Sequence, residues 1–187
     1  MKNKIWLIRH AQSASNAGVR AHVLNSENPL SENGHAQAID FAAEFLCKPD
    51  LIVTSSYLRT RQSAAPLIEK FPDVPVEVWP IHEFDFMDPE KYAGTTFEER
   101  GIFRDEYLNR NDQDYKGKGA QESFNDLIQR VDEFLKRLKT RQEKFIVVFS
   151  HGWFIEVVKA RAKGRKPNIR ETFEARRDNL EILEFEI

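Results

Sequence analysis

Cysteine is nearly absent from this chain of 187 residues: Cys47 stands alone, so no intramolecular disulfide can form. A lone thiol suits a reducing compartment, and a cytoplasmic location is the expectation. Charge of one sign is lacking too. The 28 Lys and Arg are offset by 30 Asp and Glu, leaving a net charge of -2 and a pI near 6.2. Bulk attraction to nucleic acid or to an anionic membrane is therefore not indicated, and neither is expected as a partner. Any anion site must come from local arrangement. Long apolar runs are missing as well, and none approaches the length of a membrane span. The run Ile5-Trp6-Leu7-Ile8 is cut off by Arg9 and His10. It is too short for the apolar region of a secretory leader, and none is expected. His22, His35 and His82 have no ligand-like spacing with one another, so no metal and no cofactor is expected. There is no internal repeat or low-complexity linker, and 1–187 reads as one domain. A chain of this length buries roughly 70% of its unfolded surface.

What is present is an alternation of short apolar runs and amphipathic stretches. Ile5–Ile8, Leu51–Val53, Val76–Trp79 and Phe145–Phe149 read as strands. A helix is predicted from Ser31, a good N-cap, with Ile39, Ala42, Ala43 and Leu46 as its buried stripe and Pro49 as its stop. A second runs from about Tyr57 to Lys70, where Pro66 predicts a late start or a kink. Phe124, Leu127, Ile128, Val131, Leu135 and Leu138 give the clearest helical period, and Gly152 to Lys163 a further helix. Residues 81–122, rich in acids and aromatics, break the alternation; they read as an active-site excursion with one helix from about Thr95 to Asn109. Leu180 to Ile187 alternates apolar and acidic residues, which suits an edge strand. The pattern predicts an α/β fold, a three-layer α/β/α sandwich with a mainly parallel sheet and an excursion after the third strand.

Ligands of such sheets bind at the carboxyl ends of the strands. Strand one ends at Arg9-His10, strand two leads into Ser55 and Arg59, and strand four ends at Ser150-His151-Gly152. Two histidines and two arginines would converge on one rim. Arginine pairs with phosphate oxygens through charge-assisted hydrogen bonds, and the helix after His151 would offer free N–H groups. Neutral imidazole is a competent nucleophile toward phosphorus.

The same residues resemble the histidine phosphatase superfamily, or phosphoglycerate mutase-like family. Arg9-His10-Ala11-Gln12-Ser13-Ala14-Ser15-Asn16 is similar to its first signature, with Ala11 where glycine is usual. Pro29-Leu30-Ser31-Glu32-Asn33-Gly34 through Gln37-Ala38 is similar to the next segment, Ser55 to Ala64 around Arg59 to the second signature, and Ser150-His151-Gly152 to the last. The resemblance implies that His10 accepts a phosphoryl group. It implies a phosphate pocket of Arg9, Arg59 and His151, with Asn16 and either Gln12 or Ser13 adding polar contacts. It also implies a general acid soon after the third strand. Glu83 occupies that place, with Asp85 and Glu90 as nearby competitors. The expected activity is hydrolysis of a small phosphomonoester, releasing inorganic phosphate, without metal. Two alternatives stand beside it: mutase-type phosphoryl transfer, disfavoured by Ser15 where the mutases carry Trp, and a non-catalytic phospho-ligand or partner-binding domain. A serine hydrolase is disfavoured by the lack of a G-x-S-x-G element. The basic stretch from Arg161 to Arg170 reads as a solvated face.

Overall fold

The apolar runs pair side by side because helices cover both of their faces. The computed structural model describes residues 3–187, so residues 1 and 2 of the expected 1–187 unit lie outside it. Its elements in chain order are β1 (Lys4–Arg9), α1 (Glu32–Glu44), β2 (Leu51–Thr54), α2 (Leu58–Lys70), β3 (Val76–Val78), α3 (Gly101–Arg110), α4 (Phe124–Lys139), β4 (Phe145–Ser150), α5 (Gly152–Ala162), α6 (Ile169–Glu174) and β5 (Ile182–Glu186). The strands form one sheet in the order β3-β2-β4-β1-β5, parallel throughout except for the antiparallel edge strand β5. Ile8, Ile52, Val147 and Phe149 pack beneath α1 and α2; Ile5, Leu7, Leu51, Val53, Ile146 and Val148 pack beneath α4, α5 and α6. This is the α/β/α sandwich expected from the pattern.

Several local expectations are corrected. In α1 the buried face is Gly34, Ala38 and Ala42, whereas Ile39 is 59% exposed, Leu46 is 90% exposed and Ala43 also faces solvent. The reason is close approach: a Cβ on Gly34 would lie 2.0 Å from the Gln12 carbonyl oxygen. At that point of the face only glycine fits, while Phe41 of the same helix packs against Phe149 and Leu46 lies beyond the helix end. In α2, Pro66 sits inside the continuous helix, which starts at Leu58. The helix expected from Thr95 starts at Gly101. Before it, Thr96 and Glu99 form a separate capped turn, with the Glu99 N–H donating to Thr96 Oγ1 (3.2 Å) and the Thr96 N–H to Glu99 Oε2 (2.8 Å). Trp79 leaves the third strand and turns into the core, its N–H bonded to the Thr54 carbonyl (2.9 Å). In α4, Phe134 belongs to the buried face, and a Ser123–Asp126 capping box fixes its start. Helix α6 lies at the end of the basic stretch, which sequence reasoning left without structure.

The topology brings the carboxyl ends of β2, β4 and β1 next to one another. Arg9 lies opposite Ser150, and Thr54 opposite Phe149. The ladder runs one residue further on each side: the His10 N–H donates to the Ser150 carbonyl (3.0 Å) and the Ser55 N–H to the Phe149 carbonyl (3.3 Å). The turns carrying the candidate residues are thus pinned by backbone bonds.

The α1 approach gives a testable result. Gly34→Ala should destabilise the protein by about 1–3 kcal/mol, the usual cost of forcing extra volume into a packed site. Thermal unfolding checks this; an unchanged midpoint would refute the close approach.

Candidate functional site

His10 is buried at the end of β1, and two hydrogen bonds fix its tautomer. Nδ1 lies 2.7 Å from the Ala11 carbonyl oxygen, which can only accept, so Nδ1 carries the hydrogen. Nε2 accepts a hydrogen bond from Arg59 Nε (3.2 Å) and therefore presents its lone pair. Burial, with the Arg59 and Arg9 guanidiniums beside it, holds the imidazole pKa well below its usual value. At neutral pH the ring is an uncharged base with Nε2 available. Ala11 fits its turn without strain: among described non-glycine residues only Asn111 and Leu180 have positive φ. Its methyl packs with Leu30 and Ala38, and its N–H donates to Ser63 Oγ (2.9 Å).

The chain's C-terminal region closes over this turn. Asn179 Nδ2 donates to the His10 carbonyl (2.9 Å), and the Leu180 N–H to the Arg9 carbonyl (3.1 Å). Arg9 donates through NH1 to the Arg177 carbonyl, leaving its Nε buried without a partner. Arg59 NH1 donates to the Asn25 carbonyl (2.7 Å). The His151 ring is fully buried behind His10, with centroids 5.2 Å apart. Its Nε2 is 2.8 Å from Ser55 Oγ, and its Nδ1 has no partner. Burial and the charge of Arg59 hold His151 neutral too.

Glu83 stands at the start of α5. Its Oε1 accepts the N–H groups of Phe84 (3.1 Å) and Trp153 (3.2 Å). An N–H group at this helix start, expected to be free for a ligand, is therefore partly committed to a carboxyl group. Gly152 leaves room there: a Cβ on it would lie 3.7 Å from Arg9 Nε and 4.0 Å from Glu83 Oε2. Burial raises the Glu83 pKa, against the opposing pull of Arg59, the helix-start N–H groups and Arg9. Asp85, also raised by burial, is engaged by the Tyr57 hydroxyl and by Asn25 Nδ2 (3.3 Å). Glu90 is exposed and lies away from the cavity.

A cavity of about 1110 Å³ opens over these groups, lined among others by Arg9, His10, Ser13, Asn16, Arg59, Glu83 and Asp85. His151 lies behind that wall. Gln12 is placed elsewhere: its Oε1 accepts from Ser31 Oγ (2.7 Å) and Asn33 Nδ2 (3.2 Å) at the start of α1. Its side chain braces α1, which is a correction to its expected phosphate contact. Ser13 Oγ donates to Asn16 Oδ1 (2.9 Å), so the two act as a pair. Sequence reasoning missed Arg100, Arg177 and Asn179. Of the aromatics in the excursion, Phe84, Phe86, Tyr92 and Tyr107 are buried, whereas Phe97 is exposed. No group of three or more His, Cys, Asp or Glu among the described residues could hold a metal ion, and no described helix is long and apolar enough to cross a membrane.

The family model of the histidine phosphatase superfamily, branch 1, matches residues 5–187. The chain belongs to that superfamily. It is 28% identical to a probable phosphatase of Schizosaccharomyces pombe over 158 residues, 83% of this chain and 71% of that protein. Among solved structures, its fold is similar to that of the α-ribazole phosphatase from Shigella flexneri (TM-score 0.76, 22% identity, covering 94% of this chain and 86% of that one). It is also similar to a phosphoserine phosphatase from Entamoeba histolytica, crystallised as a mutant in complex with phosphoserine (TM-score 0.75, 21% identity, 98% and 90% covered).

The depressed histidine pKa values set a pH dependence. The unfolded chain binds a proton at His10 below about pH 6.5 and the folded chain does not. Stability therefore falls as pH drops through that value, by up to about 1.4 kcal/mol per pH unit for each such histidine. The raised Glu83 pKa acts in the opposite sense but is present in both proteins compared. His10→Asn should remove one proton's worth of slope between about pH 5 and about pH 6.5. Urea unfolding across that window checks this; equal slopes would show that His10 is not held neutral.

Proposed function

We propose that this protein is a phosphomonoesterase that works through a phosphohistidine on His10, with Glu83 as general acid and without a metal. The observation that carries this reading is a set of buried donors without partners around a neutral imidazole. Arg9 Nε and His151 Nδ1 are orphaned, and Arg59 Nε has only the nucleophile's lone pair to bond. Buried donors left unpaired cost about 1–3 kcal/mol each. A phosphoryl dianion beside His10 would satisfy the two guanidinium nitrogens, and the Nδ1–H tautomer of His151 would add a third donor.

On binding, Arg59 Nε moves from the imidazole to a phosphoryl oxygen, which frees Nε2. Arg9 takes a second oxygen. Ser55 donates its hydroxyl hydrogen to His151 Nε2, so that His151 Nδ1–H serves a third. Nε2 then attacks phosphorus opposite the ester oxygen; the P–N bond forms as the P–O bond breaks. Ala11 holds the Nδ1 hydrogen while positive charge develops on the ring. Glu83, its pKa raised by burial, gives its proton to the leaving oxygen and an alcohol departs. Water next attacks the phosphohistidine and yields its proton to the Glu83 carboxylate. Inorganic phosphate leaves, and His10 is neutral again. The guanidiniums stabilise charge on the equatorial oxygens throughout. The phosphatase relatives support this class of reaction, and the exposed lone thiol of Cys47 suits the cytoplasmic setting expected for it.

Two variants test the roles. His10→Ala should abolish turnover and leave no acid-labile phosphate on the protein in rapid-quench trapping; labelled mutant would overturn the assignment. Glu83→Gln should slow alkyl phosphates by about a hundredfold or more, the usual share of a general acid, and aryl phosphates much less. Equal losses on both would remove Glu83 from that role. Isomerisation of phosphoglycerate outpacing phosphate release, with bisphosphoglycerate present, would favour the mutase reading.

A further inference from the structure

Buried arginines fall into two groups here. One group is neutralised by carboxylates. Arg177, its side chain 3% exposed and also on the cavity wall, is held by Glu156 (2.6 Å) and Glu181 (2.9 Å). Arg130, 10% exposed, is held by Glu122 (2.6 Å). The other group is not. Arg59 and Arg100, both more than nine-tenths buried, make no ion pair among the described residues. Arg59 is accounted for by the phosphoryl group; Arg100 is not.

Arg100 lies 6% exposed on the cavity wall. Its acidic neighbour Glu99 is turned outward to Arg20 (2.7 Å). The partners of Arg100 are all neutral. The guanidinium lies over the Tyr92 ring at 4.0 Å, and NH1 donates to the Thr95 carbonyl (2.9 Å) and to Thr95 Oγ1 (3.1 Å). A further nitrogen donates to Ser15 Oγ. Because Ser15 accepts that bond, its own hydrogen stays available to donate, and Ser15 also lines the cavity. Arg59 and Arg100 line the same cavity, and the charge of Arg59 acts against that of Arg100. A buried charge without a counter-charge is costly unless a ligand supplies one. The cavity also exceeds what a phosphoryl group alone would fill.

We propose that Arg100 and Ser15 form a second anion subsite that selects phosphomonoesters whose leaving group carries a further carboxylate or phosphate. This rests on the phosphatase reading, with His10 and Arg59 taking the scissile phosphate. One ligand chemistry, an oxyanion a few bonds from the ester oxygen, satisfies the subsite. Arg100 acts on specificity; it transfers no proton and touches no reacting atom.

The test uses substrate pairs that differ only in the second anion. Phosphoserine against phosphoethanolamine reads a carboxylate; 1,3-propanediol bisphosphate against its monophosphate reads a phosphate. Wild-type protein should favour the doubly anionic member of at least one pair by about tenfold or more in kcat/KM, since a charge-assisted hydrogen-bond pair is worth at least that factor. Arg100→Gln should collapse the preference while changing turnover of p-nitrophenyl phosphate by less than about threefold. Arg100→Lys should restore part of the preference. Ser15→Ala, which leaves the guanidinium in place, should weaken it to a lesser degree. Equal losses on both members of each pair, or no preference in the wild type, would overturn the proposal. Calorimetric binding of the same pairs to the His10→Ala protein separates the two readings. A preference in affinity that Arg100→Gln removes upholds the subsite even if wild-type protein hydrolyses none of these esters. Equal affinity for both members of each pair refutes the subsite whether or not hydrolysis occurs.

Discussion

Positive charge gathered around an uncharged ring is the constraint from which the site follows. Arg9 and Arg59 stand beside the buried His10 imidazole with no carboxylate paired to either among the described residues. Burial first and that imbalance second keep the ring unprotonated, and the imbalance leaves donors idle. Of the carboxyl groups on the cavity wall, Glu83 and Asp85 are both shifted toward their neutral forms by burial. The proposed base and acid are thus both biased toward their uncharged forms, by the low polarity of the surroundings as much as by any single contact.

Holding these groups in place falls to the backbone. The β2, β4 and β1 ends are bonded to one another, and the ladder continues by one residue into each turn. Side chains then lock what the ladder positions. Ser63 accepts from Ala11 and donates to the Arg59 carbonyl (2.7 Å), tying the turn of His10 to the helix that carries Arg59. Gln12 ties the same turn to α1. The excursion adds Phe84, Phe86, Tyr92 and Arg100 to a cavity wall that Tyr57, Trp153 and Phe173 complete from the helices.

Much of this was legible in the sequence because it is local. A strand ending in Arg9-His10, another leading to Arg59, and a third ending in Ser150-His151 each announce themselves by an apolar run meeting a polar turn. Glu83 follows from its place after the third strand. What was not legible depends on tertiary approach. Gln12 reads as a pocket donor until α1 is seen resting on its carbonyl; on the same helix Ala38 is buried and Ile39 exposed. Arg100 sits among charged neighbours whose sequence gives no sign that one arginine turns inward while Glu99 turns out. Arg177 and Asn179 reach the site through a loop that precedes an edge strand, a position with no periodic signature.

That loop has a consequence for how the protein comes to exist. The turn of His10 is fastened by Arg177, Asn179 and Leu180, and β1 pairs only with β4 and β5. Some 170 residues separate the nucleophile from the last groups that hold it, as the Asn179 bond shows with its separation of 169. Contacts of such sequence separation are slow to close and are gained together. A growing polypeptide therefore carries an unsupported His10 turn through the synthesis of all that intervening chain, and that turn is one of the last features to acquire its environment.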